Sequence, residues 1–501
     1  MRRVVPDSSG ELLLGIDLGS SGVKAVLLSP ERGIVASATK GVALYSDYPG
    51  WAEADPAEWW TAIRSLVPRL LEAANVTNDK VVGAAVTGMV PAVLVVDDKG
   101  RPLRRAMLQN DARATQEIRE IREALGDLDL LKLTGSVLSQ QSLAPVALWL
   151  ARHEPDVWSK AASLQGSYDW LARELGASAH VEENWALESG LYDMDFQPIV
   201  PVQDATGVAW PALLPVMTPG TVVGEVSVDA AAATGLKVGT PLVVGGADHV
   251  LSAYGAGLVS QGDCLIKLGG AGDILAVSDQ IFLDARLYLD KHPIPGKWLP
   301  NGCMATSGSL LRWEQSMFDA VPLEVLDAAA ATSTPGALLT LPYFLGEKTP
   351  LHDPDLRGVM IGLHLGTTRG DIHRSFLEAI AYGFKSHFDV FTQDGLQLGN
   401  TRVTNGGSKS RLWREILADV LNRDLISMVN YPGASYGAAV IAGIGTGRIN
   451  DWSYVVGALE EGEIISPNTK NVALYDERYQ EFLQLNDATT SLSHLLARSS
   501  S

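Results

Sequence analysis

The sequence contains only two cysteines, Cys264 and Cys303, among 501 residues. Neither belongs to a C-x-x-C pair, and a single disulfide would be unusual in a secreted chain of this length. No apolar run approaches the roughly 18 residues that span a membrane. The apolar run Leu12–Ile16 is also too short for the core of a signal peptide. We therefore expect two unpaired thiols in a cytoplasmic protein.

Basic residues are scarce relative to acidic ones, with 39 Lys and Arg against 58 Asp and Glu and a net charge of −19. Nucleic acids and anionic membranes bind basic surfaces, so the charge argues against both as partners. Hydrophobic residues make up 46% of the chain, which excludes intrinsic disorder. If the protein binds phosphate, local backbone amides and a few lysines must do so.

Strand and helix patterns alternate along the chain and predict an α/β fold. Asp55 and Pro56 resemble a helix start, and we expect Pro68 to kink or shorten that helix. The other expected helices are Leu164–His180, Asp371–Phe391 and Arg411–Leu421. The expected strands are Leu12–Asp17, Val23–Ser29, Ile34–Thr39, Val81–Val86, Ala92–Asp97, Pro241–Val244 and Thr401–Thr404.

A short internal repeat links the two halves of the chain. Gly15–Ser29 and Ile266–Asp279 both contain an apolar strand, a glycine turn and a second apolar strand. In this alignment Leu18, Gly19 and Gly22 correspond to Leu268, Gly269 and Gly272. The repeat predicts two similar lobes with one hairpin each, which we place at residues 1–245 and 246–501.

The glycine turns do not fit the common nucleotide-binding loops. A dinucleotide site needs a turn that opens a helix, and a P-loop needs G-K-[ST], but a strand pattern follows Gly22. An ordinary hairpin is one explanation for each turn. Because the pattern occurs twice, we favour a pair of hairpins whose backbone N–H groups bind phosphate. Asp17 beside such an anion indicates an intervening Mg²⁺ ion.

Two further small-residue segments precede predicted helices. Asn405–Ser408 follows a strand, and its glycines permit close approach of a ring or phosphate. Gly433–Ala439 is similar, although tight helix packing explains it equally well. Asp248 follows the apolar strand Pro241–Val244, and its structural alternative is the N-cap of a helix that begins at His249.

Several segments, in order, resemble the FGGY family of carbohydrate kinases, and the xylulokinase branch is the most similar. The resemblance runs from about Leu12 to Gly447. It implies two actin-like, ribonuclease H-like lobes with the active site in the cleft between them, and places the sugar in the N-terminal lobe and the nucleotide in the C-terminal lobe. The matching segments are Gly15–Leu28, Pro49–Trp60, Leu341–Leu363, Asn405–Leu421 and Gly433–Gly443.

The resemblance also implies residue roles in phosphoryl transfer from ATP to a sugar hydroxyl. Asp248 would be the general base, and Asp17 would bind Mg²⁺ through water. This chemistry needs positioning, charge neutralisation and a proton acceptor. The implied ATP-binding residues are Gly19, Ser20, Ser21, Lys24, Gly269, Gly270, Gly272, Gly406, Gly407 and Ser408.

Departures from the xylulokinase pattern concentrate where the sugar would bind. We assign that pocket to Met89, Val90, Gln109, Asp111 and His249. Val90 and Gln109 replace a usual His and Trp, and His249 replaces Asn or Gln. Val146 replaces a lysine, and Gly270 and Ala271 replace Thr and Ser. D-Xylulose remains the expected acceptor, with other ketopentoses such as ribulose, deoxy sugars and polyols such as erythritol as alternatives.

Two other classes of protein share this fold. A sugar or nucleotide sensor would not need both Asp17 and Asp248. An actin-like ATPase is disfavoured by the sugar-kinase segments Pro49–Trp60 and Leu341–Pro350. The family resemblance also makes a homodimer possible.

Overall fold

The computed structural model describes residues 10–429, 431 and 433–499 and has the expected mixed α/β fold. The chain forms two compact units. The first contains Met1–Val259, Asp290–Lys297 and Pro432–Ala458, and the second contains Ser260–Leu289, Trp298–Tyr431 and Leu459–Ser501. The sequence predicts a single boundary between residues 245 and 246, whereas the chain passes between the units more than once.

The first unit is built on a six-stranded sheet whose three central strands are buried and parallel. Strands buried on both faces are expected to be almost continuously apolar, as these are. The predicted first hairpin is confirmed, with Leu12–Gly19 antiparallel to Gly22–Ser29. In spatial order the strands are Val222–Glu225, Pro241–Ala247, Val81–Gly88, Leu12–Gly19, Gly22–Ser29 and Gly33–Gly41.

Short strands and surrounding helices complete the first unit. Its other strands are Glu53–Ala54, Leu94–Val96, Ala106–Met107, Ser163–Gln165, Val181–Glu182 and Val216–Met217. Its α-helices are Pro56–Ala74, Thr115–Leu125, Leu130–Thr134, Leu143–His153, Pro155–Trp158, Ser167–Leu175, Glu183–Ser189, Val200–Asp204, Val228–Thr234, Asp248–Gly255, Ala434–Gly445 and Tyr454–Gly457, with a 3₁₀ turn at Asn78–Lys80.

The second unit repeats the strand order of the first. Its sheet contains a second hairpin, Cys264–Leu268 and Gly272–Ala276, whose first strand runs parallel to Thr401–Thr404. In both units the hairpin is followed across the sheet by two parallel strands and one antiparallel strand. The predicted repeat is therefore confirmed. The spatial order is Tyr288–Lys291, Trp298–Met304, Gly272–Ala276, Cys264–Leu268, Thr401–Thr404, Leu425–Met428 and Glu461–Ile465.

The remaining elements of the second unit are mainly helices. Two short strands, Leu339–Leu341 and Val359–Ile361, pair with each other. Among the described residues, no helix of the protein combines the length and the apolar character that a membrane span requires. The α-helices of the second unit are Gly308–Met317, Leu323–Ala330, Arg369–Gln393, Arg411–Leu421 and Thr469–Ser499, with a 3₁₀ turn at Gly406–Lys409.

The structure corrects the lengths of two predicted helices. Pro68 does not shorten its helix, which continues to Ala74. Pro68 lies on the exposed side, where water can bond to the carbonyl freed by its missing N–H. The expected helix Leu164–His180 is shorter, because Ser163–Gln165 forms a strand and Gly176 ends the helix at Leu175.

Small residues let the helix Ala434–Gly445 lie directly on the first sheet. A Cβ added at Gly15 would lie 1.9 Å from the Ser435 carbonyl oxygen and 2.6 Å from the Ala439 nitrogen. A Cβ at Gly437 would lie 2.3 Å from the Leu251 carbonyl oxygen. Backbone atoms cannot move aside as a flexible side chain can. The packing explanation for Gly433–Ala439 is therefore confirmed for the helical residues.

We predict that Gly15→Ala destabilises the protein by about 1–3 kcal/mol, the usual cost of overpacking. Gly457→Ala is the matched control, since no described atom lies within 4 Å of its added Cβ. Urea denaturation of both variants should lower the transition midpoint for Gly15→Ala alone. Equal midpoints would contradict this account of the close contact.

Candidate active site

The first-unit site begins where three parallel strands end together. Asp17 pairs with Thr87 across one strand boundary, and Thr87 pairs with Gly246 across the next. The Thr87 hydroxyl donates to the Gly246 carbonyl at 2.6 Å. Asp17 and residue 246 are thus separated by two strand spacings, or about 10 Å. Because Asp248 follows two residues later, both predicted carboxylates belong to the same edge of the sheet.

The first hairpin carries Asp17 opposite Lys24. These two residues are cross-strand partners, and both are partly buried. Burial lowers the pKa of Lys24, while the charge of Asp17 opposes that shift. Gly19 pairs with Gly22, and the intervening Ser20 and Ser21 are exposed. The turn therefore presents its serines to solvent, and Asp17 and Lys24 form the third cross-strand pair behind them.

Asp248 occupies the first position of the helix Asp248–Gly255 rather than the cap before it. The N-cap is Ala247, which makes no side-chain capping hydrogen bond. The structural alternative, Asp248 as a cap before His249, was therefore wrong. The side chain of Asp248 is 34% exposed. A partly exposed carboxylate at the end of a buried strand can accept a proton from a bound molecule.

The His249 cluster consists of Glu188, His249 and Asp290. His249 Nε2 lies 2.6 Å from Asp290 Oδ2 and 3.9 Å from Glu188 Oε1. On the other side of the ring, Nδ1 lies 3.7 Å from Asp248 Oδ1. Burial lowers the pKa of His249, but Asp290 and Asp248 together raise it well above its ordinary value. Burial raises the pKa of Glu188 well above its usual value, and Asp290 raises it further.

The His249 cluster is best explained as a proton-holding group. One ligand-type atom from each residue lies within 4.8 Å of the others, a spacing that also suits a cation. A metal, however, needs the lone pair of a neutral imidazole. The Nε2–Oδ2 hydrogen bond and the raised pKa of His249 favour a ring protonated at both nitrogens. The structure therefore favours an imidazolium between carboxyl groups.

Met89 and Val90 lie at the same sheet edge as Asp17. The Met89 amide donates to the Leu18 carbonyl at 3.2 Å, and both Met89 and Val90 are buried. Reciprocal backbone hydrogen bonds between Val93 and Met107 pair the segment that leads to Gln109 with the segment that follows Val90. Gln109 Oε1 is buried and has no hydrogen-bond partner among the described residues. Gln109 thus retains an acceptor that a bound hydroxyl group could satisfy.

Asp111 is engaged in a buried ion network. Its carboxylate accepts from the Ala52 amide at 2.7 Å and from Arg113 Nη2 at 2.6 Å. Arg113 also bonds Glu53 at 2.8 Å, and its guanidinium carbon lies 3.6 Å from the centre of the Trp51 ring. The side chains of Asp111 and Arg113 are 3% and 1% exposed. The structure thus gives Asp111 a structural role apart from the predicted sugar contact.

The second hairpin turns at Gly269–Ala271 in the second unit. The Gly269 carbonyl accepts from the Gly308 amide at 2.8 Å, and the Gly270 carbonyl accepts from Ser307 and Ser309. A Cβ at Gly270 would lie 2.7 Å from Arg312 Nη2, so this guanidinium lies directly against the turn. A Cβ at Gly272 would lie 2.8 Å from the buried Phe384 ring, so packing requires that glycine.

The two hairpins carry the same pair of charges in opposite order. Lys267 is the cross-strand partner of Asp273, and Lys267 Nζ lies 3.1 Å from Asp273 Oδ2. In the first hairpin the acid, Asp17, precedes the base, Lys24. The first strand of the second hairpin therefore places a cation where the first hairpin places a carboxylate.

The residues of the loop Asn405–Ser408 differ in how closely the rest of the protein packs against them. A Cβ at Gly407 would lie 2.3 Å from the buried Trp413 ring, so this glycine is required for packing. No described atom lies within 4 Å of a Cβ at Gly406, which leaves that side of the loop open. The Ser408 hydroxyl donates to the Asn405 carbonyl at 2.7 Å. Gly406 is therefore the glycine of this group whose Cα side is open to a ligand.

Sequence reasoning missed Asp290, Glu188 and Arg312. Asp290 lies 41 residues from His249 along the chain, so no local spacing connects them. Arg312 lies inside a helix, and only the fold brings it to Gly270. Two residues of the family-like segment Leu341–Leu363 support the second sheet: Glu347 accepts from the Ala305 amide at 2.7 Å, and Thr349 accepts from the Cys303 amide at 2.6 Å.

Known proteins are similar to this chain over nearly its full length. A xylulose kinase of Staphylococcus epidermidis (strain ATCC 12228 / FDA PCI 1200) is 29% identical over 492 residues, which cover 96% of this chain and 98% of that protein. The crystal structure of xylulose kinase from Rhodospirillum rubrum is 37% identical, has a TM-score of 0.90, and the match covers 97% of this chain and 100% of that one.

The fold extends to a more distant protein. The gluconate kinase structure from Lactobacillus acidophilus has a TM-score of 0.89 at 21% identity, with coverage of 96% of this chain and 98% of that one. These similarities confirm the predicted two-lobe, actin-like fold.

Family models match both parts of the chain. The N-terminal domain of the FGGY family of carbohydrate kinases matches residues 12–255, and its C-terminal domain matches residues 283–446. Together they account for most of the sequence and agree with the resemblance found in its motifs. The chain therefore belongs to the FGGY family of carbohydrate kinases and is a sugar phosphotransferase.

Proposed function

We propose that this enzyme transfers the γ-phosphoryl group of MgATP to D-xylulose and forms D-xylulose 5-phosphate. The observation that carries the proposal is the position of Asp248, a partly exposed carboxylate at the sheet edge that also holds Asp17. The xylulose kinases at 29% and 37% identity support the choice of acceptor.

Asp248 acts as the general base in this proposal. As the sugar oxygen forms a bond to the γ-phosphorus, the bond from phosphorus to the leaving oxygen of ADP breaks. The proton of the sugar hydroxyl passes to the Asp248 carboxylate, which returns it to solvent after product release. A positioned base of this kind contributes about 10²–10⁴-fold to the rate.

Asp17 fits the requirements for Mg²⁺. Mg²⁺ in phosphoryl-transfer sites is usually bound by one or two carboxylates, substrate phosphates and retained waters. Asp17 is one partly buried carboxylate beside a turn whose serines are exposed, and the positive charge of its partner Lys24 favours the phosphate rather than the ion. When bound, the ion would neutralise phosphate charge, and Asp17 would hold it directly or through water.

The remaining assignments concern the nucleotide. We assign phosphate contacts to Gly19, Ser20, Ser21 and Lys24 of the first hairpin and to Gly269 and Gly270 of the second. Arg312 joins the second group because its guanidinium lies against Gly270. Gly406 and Ser408 are assigned to adenosine, since the open side of Gly406 permits close approach of a ring. Gly272 and Gly407, which packing also requires, stay predicted ATP contacts.

The sugar pocket differs from the xylulokinase pattern. Val90 is apolar, Gln109 offers an amide oxygen, and His249 adds a cation beside the base. A site built to pair hydroxyl groups rejects sugars that leave its polar groups unpaired. We therefore expect a weaker preference for D-xylulose than the xylulokinase pattern implies, with ribulose, deoxy sugars and erythritol as further acceptors. A homodimer and a cytoplasmic location stay predictions.

The direct test is a panel of sugars and polyols assayed with MgATP by coupled ADP release. We expect D-xylulose to be phosphorylated without a specificity constant far above that of every other acceptor, because Val90, Gln109 and His249 replace the groups that usually pair with its hydroxyls. Asp248→Asn should lower kcat by at least about 10²-fold with little change in ATP binding. Asp17→Asn should lower kcat and raise the Mg²⁺ concentration required.

Turnover of Asp248→Asn close to that of the wild type would exclude the base assignment. ADP release that is the same with and without every sugar would favour the ATPase alternative, and no turnover with any acceptor would favour the sensor. D-Xylulose preferred far above all other acceptors would show that the pocket substitutions do not affect selectivity.

Arg312→Gln should raise KM for ATP by about tenfold and leave KM for the sugar unchanged. The guanidinium is exposed, so this is the lower range expected for a charge-assisted hydrogen bond to phosphate. Arg411→Gln is the matched control, because Arg411 is also an exposed arginine of the second unit but bonds Glu415 on its own helix. Unchanged ATP kinetics in Arg312→Gln would remove Arg312 from the phosphate site.

Asp111→Asn separates the structural role of Asp111 from the sugar contact. Loss of one partner of a buried ion pair costs about 3–5 kcal/mol, so chemical denaturation should show a large loss of stability. Asp47→Asn, which removes an exposed ion pair with Arg105, should change stability by less than about 1 kcal/mol. Normal stability of Asp111→Asn with a raised KM for the sugar would instead support direct sugar binding.

A further inference from the structure

Asp290 makes the shortest contact to the residue that follows the proposed base. Its Oδ2 atom accepts a hydrogen bond from His249 Nε2 at 2.6 Å, and its side chain is only 1% exposed. The opposite ring nitrogen, Nδ1, lies 3.7 Å from Asp248 Oδ1. One imidazole ring therefore connects a buried carboxylate to a partly exposed one.

A second set of hydrogen bonds holds the backbone beside Asp290. The Asn184 amide group accepts from the Lys291 N–H at 2.7 Å and donates to the Lys291 carbonyl at 3.1 Å. Asn184 Nδ2 also lies 3.2 Å from Glu182 Oε1, which it can donate to, and Glu182 accepts from the Tyr168 hydroxyl at 2.8 Å. Tyr168, Glu182 and Asn184 are buried and Lys291 is partly buried, so hydrogen bonds largely shielded from water hold the backbone beside Asp290.

We propose that Asp290 is a positioning residue: it keeps His249 doubly protonated, and the ring then holds the Asp248 carboxylate ready to accept the sugar proton. This inference rests on the proposed role of Asp248 as the general base. Asp290 itself contacts neither substrate nor the reacting atoms. Its effect passes through His249, whose charged N–H at Nδ1 attracts the carboxylate more strongly than a neutral ring would.

The charged groups around His249 agree with this arrangement. Asp290 faces Nε2 from the strand Tyr288–Lys291, Glu188 faces Nε2 from the helix Glu183–Ser189, and Asp248 faces Nδ1 from the ring's own helix. Burial raises the pKa of Glu188 well above its ordinary value, and Glu188 lies farther from Nε2, at 3.9 Å, than Asp290 does at 2.6 Å. Lys291 directs its ammonium group to Glu183 at 3.6 Å rather than to the ring.

The expected pH dependence follows from the protonation of His249. Its raised pKa keeps the ring charged through neutral pH, and that charge is lost only as the pH rises through the raised value. Without the charge of Asp290, the pKa of His249 should fall toward the ordinary histidine value, which burial lowers further. His249 should then titrate in the range of about pH 5–8. Turnover should then decline as the pH rises through this range, whereas the wild-type profile stays flat there.

The test uses the full-length enzyme with MgATP and D-xylulose, or the best acceptor from the sugar panel. In Asp290→Asn we expect kcat to fall about tenfold between pH 5.5 and 8 with little change in KM for the sugar. Asp290→Glu should restore the flat profile, because it returns a carboxylate. His249→Asn should show no inflection, and Asp290→Asn should have no further effect in that background.

The matched control is Asp327→Asn. Asp327 also contacts a buried histidine, with its Oδ1 2.9 Å from His373 Nε2, and it belongs to the second unit. It should leave the shape of the pH profile unchanged. Thermal melting of each variant separates lost stability from lost positioning, and Asp290→Glu and His249→Asn keep the test open if Asp290→Asn does not fold.

Nuclear magnetic resonance of ¹⁵N-labelled histidine tests the proton on His249 without any assay of activity. The His249 titration, assigned by His249→Asn, should move to lower pH in Asp290→Asn. A flat kinetic profile with an unmoved titration in Asp290→Asn would overturn the inference. Near-normal turnover in Asp248→Asn would instead reject the general base, while the titration still reports on the Asp290–His249 pair.

Discussion

Parallel hydrogen bonding between three buried strands determines which side chains meet in the first unit. The register pairs Asp17 with Thr87 and Thr87 with Gly246, so two carboxylates from distant parts of the sequence reach one edge. A shift of one residue would turn every side chain of a strand to the opposite face. Gly15 favours this register, because the helix Ala434–Gly445 packs against the strand at this position and leaves no space for a side chain.

The same sheet arrangement occurs in both units, but it places a carboxylate on the first strand of one hairpin and an ammonium group on the first strand of the other. Both hairpins have the same neighbours in their sheets, but the acid and base exchange positions between Asp17–Lys24 and Lys267–Asp273. The first hairpin combines its carboxylate with exposed serines, and the second combines its lysine with Arg312. In the proposed function, the first arrangement suits a metal-bound phosphate and the second suits a phosphate bound directly by cations.

The sequence predicted the parts that local patterns control. The hairpins, the helix Arg411–Leu421 and the strand Thr401–Thr404 follow from apolar runs and turn residues, and the family follows from ordered motifs. It did not predict the partners of those residues. Asp290 meets His249, and Arg312 meets Gly270, only because of tertiary folding. The same limit hides the buried ion network of Asp111 and the packing of Gly407 against Trp413, while the ligand contacts of both residues stay predictions.

The central claim is that this site transfers phosphate from ATP to a sugar hydroxyl rather than to water. ³¹P nuclear magnetic resonance of the enzyme with MgATP and D-xylulose distinguishes these products directly. The account predicts a sugar phosphate monoester signal that grows in step with ADP, with little inorganic phosphate, since a sugar held against the base excludes water as the acceptor. Inorganic phosphate in place of the ester, with D-xylulose and with every other acceptor tested, would contradict it.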